Sequence, residues 1–342
     1  MGMNFARRRC PELAQGQMKP DRRTVLRALV AVSAPSMIAR AQAEPRRVAW
    51  FGSGRGGMSS PFFDSFLAAM RESGWIEGQN LALRAFFTHG SVENADQLAR
   101  QMLATNPEVI VVHGRDVGAV HRAKPTVPVA FAFSGNPVDA GFVESLARPG
   151  TNFTGVTFMS LELAGKRIEL LRELAPQIRR LAVLARPEHP GEHRERAATE
   201  EVVNKLGIAL AYVPIRLASE LDGALQEIKR RNCDALIAFP DGVTLDSSGR
   251  IAHHATQEGI ATVSGWGSFA DNGFLLSYGP NLHDSYRRLA RYVDRILRGD
   301  KPQELPVELP RSVELVLNMR TARALGLAIP KSVLLRADRV IE

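Results

Sequence analysis

Arg186 and Asp241 are the residues best placed by type and position to seize a small charged molecule. Each stands just beyond a short apolar run, Arg180 to Ala185 and Ala235 to Phe239. An arginine can clamp a carboxylate through two parallel N–H donors, and an aspartate accepts from an ammonium group. The alternative for both is a solvated or hinge-pairing side chain. Ser134 and Asn136 follow the run Pro128 to Phe133 and offer hydrogen bonds to a polar ligand, or else cap their own turn. His113 ends the run Val109 to His113, where a packed strand-end histidine is the plainer expectation. Trp266, Phe269 and Tyr278 supply either an apolar wall or core.

The stretch Gly52-Ser53-Gly54-Arg55-Gly56-Gly57 satisfies G-x-G-x-x-G between an expected strand and an expected helix. A dinucleotide fingerprint also needs an acidic residue at the end of the next strand. That strand, Leu81 to Phe87, ends instead in Thr88-His89. Met58-Ser59-Ser60-Pro61 further lengthens the turn. The better reading is a loop at a cleft whose backbone N–H groups, with Ser53, Ser59 or Ser60, grip a carboxylate at a helix N-terminus; glycines that merely turn the chain are the alternative. Catalytic patterns are weak. His189 and His193 have helical spacing but are separated by Pro190-Gly191, and no glutamate follows His189 as a zinc protease would require. His253 and His254 face different ways on a helix, and there is neither G-x-S-x-G nor a P-loop. No enzyme chemistry, metal or cofactor is expected.

These residues need strands and helices to hold them, and the pattern supplies both. Arg47 to Gly52, Leu81 to Phe87, Val109 to His113 and Pro128 to Phe133 read as strands, with helices at Pro61 to Gly74, Val92 to Thr105 and Ala119 to Ala123 between them. The alternation then restarts: helices at Ser160 to Ala175, Glu192 to Leu206, Ala218 to Asn232 and Ser248 to Glu258, strands at Arg180 to Ala185, Ala209 to Val213, Ala235 to Phe239 and Ala261 to Val263. Near-continuous apolar strands separated by helices predict parallel sheets covered on both faces. The expectation is α/β: two doubly wound lobes, 46–155 and 156–280, joined by a hinge. A closing segment, 281–342, carries a helix from Asp284 to Leu297 and is expected to run back to the first lobe. Ligands in such sheets bind beyond the carboxyl ends of the strands, so the cleft between the lobes is where function is sought.

The first 43 residues read as a leader. Arg22-Arg23 precede an apolar run, Leu26 to Ile38, that closes on Ala41-Gln42-Ala43. This is a twin-arginine signal with a cleavage site at Ala43, and Met18 offers a start that leaves it compact. The run is too short and interrupted to span a bilayer. The leader holds eight of the 44 basic residues and two of the 36 acidic ones, so the rest of the chain is only about +2. That removes the electrostatic case for nucleic acid. Only Cys233 remains beyond the leader, and one thiol forms no internal disulfide. A periplasmic, monomeric protein is expected.

Four ordered blocks resemble a known family. They are Phe63 to Phe66 through Gly74-Trp75-Ile76-Glu77-Gly78-Gln79-Asn80-Leu81; Asn136-Pro137-Val138 with Gly141-Phe142-Val143 through Asn152, Thr154 and Gly155; Ser277-Tyr278-Gly279-Pro280-Asn281; and Gly299, Lys301-Pro302, Leu305-Pro306-Val307-Glu308 with Asn318 and Ala324 to Pro330. Ser65, Leu67 and Arg71 depart from the first block. Over 46–335 the chain resembles ABC-transporter substrate-binding proteins of the TrpX-like kind, with a type 1 periplasmic binding fold. The resemblance implies capture of a small, amino-acid-like or carboxylate ligand and its delivery to an inner-membrane ABC permease with its ATPase. The rivals are an exported dinucleotide-dependent oxidoreductase and a ligand-sensing module for a membrane receptor.

Overall fold

The computed structural model describes residues 44–52, 61–89, 92–158, 163–189 and 191–342. Strands β1 (Arg46–Gly52), β2 (Leu81–Phe87), β3 (Val109–His113), β4 (Val129–Phe133) and β5 (Phe153–Thr157) alternate with helices α1 (Pro61–Glu72), α2 (Val92–Leu103) and α3 (Val117–Arg122). They form a five-stranded parallel sheet in the order β2-β1-β3-β4-β5. The central strands are apolar because helices cover both faces: Val109, Ile110, Val111 and Val112 are all buried. At the edge, β5 approaches β4 so closely that a Cβ on Gly155 would lie 2.0 Å from the Phe131 carbonyl oxygen. With φ at +148° as well, only glycine fits there.

The second sheet is built from β6 (Arg180–Ala185), β7 (Ala209–Pro214), β8 (Ala235–Ala238), β9 (Ala261–Ser264), β10 (Leu276–Pro280), β11 (Val313–Asn318) and β12 (Arg339–Ile341), in the order β12-β11-β10-β9-β8-β6-β7. The helices of this half of the chain are α4 (Leu163–Leu174), α5 (Glu192–Leu206), α6 (Leu221–Arg230), α7 (Gly242–Asp246), α8 (Ser248–Gln257), α9 (Gly267–Asp271), α10 (Leu282–Leu297), α11 (Met319–Ala324) and α12 (Lys331–Leu334). Strand β11 runs antiparallel to β10; the other pairings are parallel.

One helix of the second half belongs to the first lobe. Tyr286, Leu289, Ala290, Val293 and Leu297 of α10 share a core with Trp50, Phe63, Phe66 and Met70. The Trp75 indole N–H donates to Asp294 at 2.8 Å, and Arg46 donates to the Leu297 carbonyl at 2.6 Å. The closing segment 281–342, expected to run back to the first lobe, therefore divides. Helix α10 and the stretch to Glu308, which bonds the edge of β5 through Gly155 and Thr157, lie with the first sheet, while β11 and β12 extend the second. The chain passes between lobes three times, between β5 and α4, between β10 and α10, and between Glu308 and β11. The expectation also missed β5, β10 and β12. Gly155, Gly279 and Pro280 weaken the strand signal, and pairing with tertiary neighbours overrides it.

Candidate functional site

On the second lobe, the carboxyl ends of β6 and β8 bring Arg186 and Asp241 together. The Arg186 Nη1 lies 3.9 Å from Asp241 Oδ1 and its Nε 3.7 Å from Glu188, both longer than a hydrogen bond. Arg186 is 6% exposed, and its buried Nε has no hydrogen-bond partner. Asp241 is the N-cap of α7: its carboxylate accepts from the Val243 N–H at 2.7 Å, and Thr244 completes the capping box through its hydroxyl. Behind them Arg167 of α4 is almost wholly buried. It donates to the Tyr278 carbonyl at 2.8 Å and to Glu195 at 2.6 Å, and it fills the space beside Gly265. Burial holds the His189 imidazole below its ordinary range; Asp241 and Glu195 pull it up, and Arg186 pushes it further down.

The first lobe presents a different surface. The Asp116 carboxyl, at the end of a 3-10 turn after β3, is 2% exposed and accepts from the Thr88 hydroxyl at 3.2 and 3.4 Å. Burial is the main cause that pushes its pKa up to about 7, partly offset by the Thr88 hydroxyl and added to by the charge of Asp241. His113 packs its ring over Gly52, where a Cβ would stand 1.9 Å from the imidazole Nε2, so position 52 must be glycine. Burial lowers the His113 pKa to about 4 and keeps the ring neutral. Trp50 and Tyr286 flank it, with ring centroids 5.4 and 6.1 Å away. From Tyr286 the ring contacts continue through Phe158 to Trp266 of the second lobe, 6.0 and then 6.4 Å apart.

The lobes touch directly. The Ser134 hydroxyl and the His189 Nε2 are 2.5 Å apart, Asp139 pairs with Arg194, and Gly191 lies against Gly135. Of the residues singled out in the sequence, the structure groups Arg186 with Asp241 and seats Ser134 on the facing lobe. Asn136 turns its side-chain oxygen to the Val138 N–H at 2.9 Å and so caps its own turn. Trp266 is half-buried at the junction of the lobes. The Tyr278 ring packs into the core of the second lobe. Ser53, Ser59 and Ser60 lie outside the described residues. Sequence reasoning missed Asp116, Thr88, Arg167 and the cross-lobe role of His189. The one signal available was position: Thr88 and Asp116 each stand within three residues of a strand's carboxyl end. Among the described residues, no three His, Cys, Asp or Glu side chains are grouped as for a metal ion, and no helix is long and apolar enough to cross a membrane.

Two parallel-sheet lobes facing one another across a hinge agree with what known proteins look like. A "Tyrosine-binding protein" of Clostridioides difficile (strain R20291) is 19% identical over 264 residues, 77% of this chain and 75% of that protein. A conserved domain protein from Vibrio cholerae O1 biovar eltor str. N16961 superposes with a TM-score of 0.80 at 26% identity, over 87% of this chain and all of that one. A Streptococcus pneumonia ABC domain in complex with L-Trp gives the same TM-score and coverage at 19% identity. The fold is that of the type 1 periplasmic binding proteins. The family profile described as "ABC transporter substrate binding protein" matches residues 61–341, and the chain belongs to that family.

Proposed function

We propose that this protein is the solute-binding component of an ABC importer, exported by its leader, cleaved near Ala43 and working in the periplasm with an inner-membrane permease and its ATPase. It captures a small amphiphilic solute, amino-acid-like or carboxylate, in the cleft between its lobes. The observation that carries this reading lies at the strand ends of the second lobe: a buried Arg186, only loosely paired with Asp241 and with no hydrogen bond to its Nε, next to His189, whose N–H donates to the Arg186 carbonyl and whose ring meets Ser134 of the first lobe. The solute's charged head meets Arg186 and Asp241. Its apolar part lies along the rings between His113 and Trp266. Ser53, Ser59 and Ser60, in the loop that leaves β1, are proposed to complete the grip. The relatives' ligands, tyrosine and L-Trp, support this division into a charged head and an aromatic tail.

Closure follows from contacts made to both lobes at once, since only a ligand that binds the closed state better can shift the equilibrium toward it. Thermal melting against L-tyrosine, L-tryptophan, aromatic acids, sugars and dinucleotides tests the reading. A solute at a hundred times its Kd adds about 2.7 kcal/mol of stability. A shift confined to one small-solute class is the expected result. A shift with dinucleotides alone, or with nothing in the panel, contradicts it.

A further inference from the structure

Resting on the reading of Arg186 as the group that receives the solute's carboxylate, we propose that Arg216 is a positioning residue of the capture site. It holds Glu188 off Arg186 and so keeps that guanidinium open to the solute. The argument begins with Arg186 itself. The residue is 6% exposed, and its buried Nε has no hydrogen-bond partner. A guanidinium taken out of water and left short of acceptors is costly until something completes it. An acceptor stands close by. Glu188 Oε2 lies 3.7 Å from that Nε, within ion-pair range but too far for a hydrogen bond. The turn that carries Glu188 is closed by the His189 N–H, which donates to the Arg186 carbonyl at 3.0 Å, so the acid is kept beside its neighbouring arginine.

What stops Glu188 from closing on Arg186 is its other oxygen. Glu188 Oε1 is paired with the Arg216 Nε at 2.8 Å. Arg216 follows β7, and the backbone there is stitched to the end of β6: the Ile215 N–H donates to the Ala185 carbonyl at 2.9 Å. The Arg216 N–H donates to Glu220 at 2.7 Å. The pull on Glu188 therefore has a fixed origin. The Glu188 and Arg216 side chains are 47% and 59% exposed, so their pair is a weak one in water. The same carboxylate brought onto buried Arg186 meets a lower dielectric and is held more strongly. Without Arg216, Glu188 turns onto Arg186, and an entering carboxylate has to displace it. Asp241 does not take this part, because one of its oxygens is committed to the cap of α7. Glu188 is thus an internal competitor for the solute's place, and Arg216 restrains it.

Titration calorimetry of the full chain with L-tyrosine and L-tryptophan tests this in four proteins: native, Arg216→Ala, Glu188→Gln and the double variant. The expected result is weaker binding in Arg216→Ala and tighter binding in Glu188→Gln, by about twofold to fivefold each, the worth of one exposed ion pair. The double variant is expected to bind as Glu188→Gln does, since Arg216 then has no competitor to restrain. A merely structural role for Glu188 does not strengthen binding when the charge is removed. Unchanged or weaker binding in Glu188→Gln, unchanged binding in Arg216→Ala, or a further loss when Arg216→Ala is added to Glu188→Gln overturns the proposal. If Arg216→Ala melts early, the sign of the change in Glu188→Gln alone decides. Saturable binding to the native chain that falls in Arg186→Ala leaves the capture site standing in each of those cases. No saturable heat from the native chain with either amino acid removes both.

Discussion

The two strand-end surfaces that face each other across the cleft are built on opposite plans. The second lobe carries Arg167, Glu195 and Asp241, held by carbonyls, one another or a helix end, and beside them Arg186, whose guanidinium is only loosely paired. The first lobe presents rings, hydroxyls and one buried acid, Asp116. One side is a charged cluster with one loosely held guanidinium. The other is a buried ring cluster with one acid, Asp116, in its shelter. On the proposed function, the difference assigns orientation of a polar head to the second lobe and shape to the first.

The comparison breaks most sharply at Arg167. Removing it takes the arginine from the Glu195 carboxylate and the donor from the Tyr278 carbonyl, so Arg167→Ala is expected to cost about 3–5 kcal/mol in chemical denaturation. A loss below about 1 kcal/mol would mean that the cluster is not anchored there. Asp116 comes next, with the opposite sign. Its pKa is raised in the folded state, so its burial costs nothing below about pH 4, progressively more up to about pH 7, and its full amount above. Asp116→Asn is therefore expected to stabilise the solute-free protein at pH 8 by up to about 4 kcal/mol. His113 works the other way: its lowered pKa means stability is lost as pH falls from about 6.5 to about 4. The two offset each other in the native chain, so Asp116→Asn should melt more steeply in acid than the native protein does. Parallel profiles would refute both assignments.

Smaller effects sharpen the picture. Gly52→Ala drives a methyl into the His113 ring, and overpacking of this kind costs about 1–3 kcal/mol; thermal melting measures it. Ser134→Ala removes a hydrogen bond between lobes that is worth about 0.5–1.5 kcal/mol, so solute affinity should fall roughly twofold to tenfold while the melting curve of each lobe's core is kept. An unchanged Kd would show that Ser134 and His189 meet without helping closure.

The fold was largely legible because buried parallel strands leave continuous apolar runs, as Val109 to His113 does. Strands β5 and β10 were not, because Gly155, Gly279 and Pro280 read as breakers until their neighbours are known. The site was half legible. Arg186 and Asp241 stand beside strand ends, where pattern alone directs attention. Arg167 follows Lys166 on a helix and reads as a solvated face; nothing local says that it is buried. His189 drew notice only as a failed metal ligand, since its partner Ser134 is 55 residues away in the chain.

Capture between these two surfaces is the claim on which the rest depends, and one titration addresses it most directly. Calorimetry of the native chain and of Arg186→Ala with L-tyrosine and L-tryptophan compares the cleft with and without its loosely held guanidinium. The account predicts saturable one-to-one binding to the native chain and a loss of about tenfold to a hundredfold in the variant, as removal of a charged hydrogen bond requires. Equal affinity in the two proteins, or no saturable binding to the native chain, would contradict it.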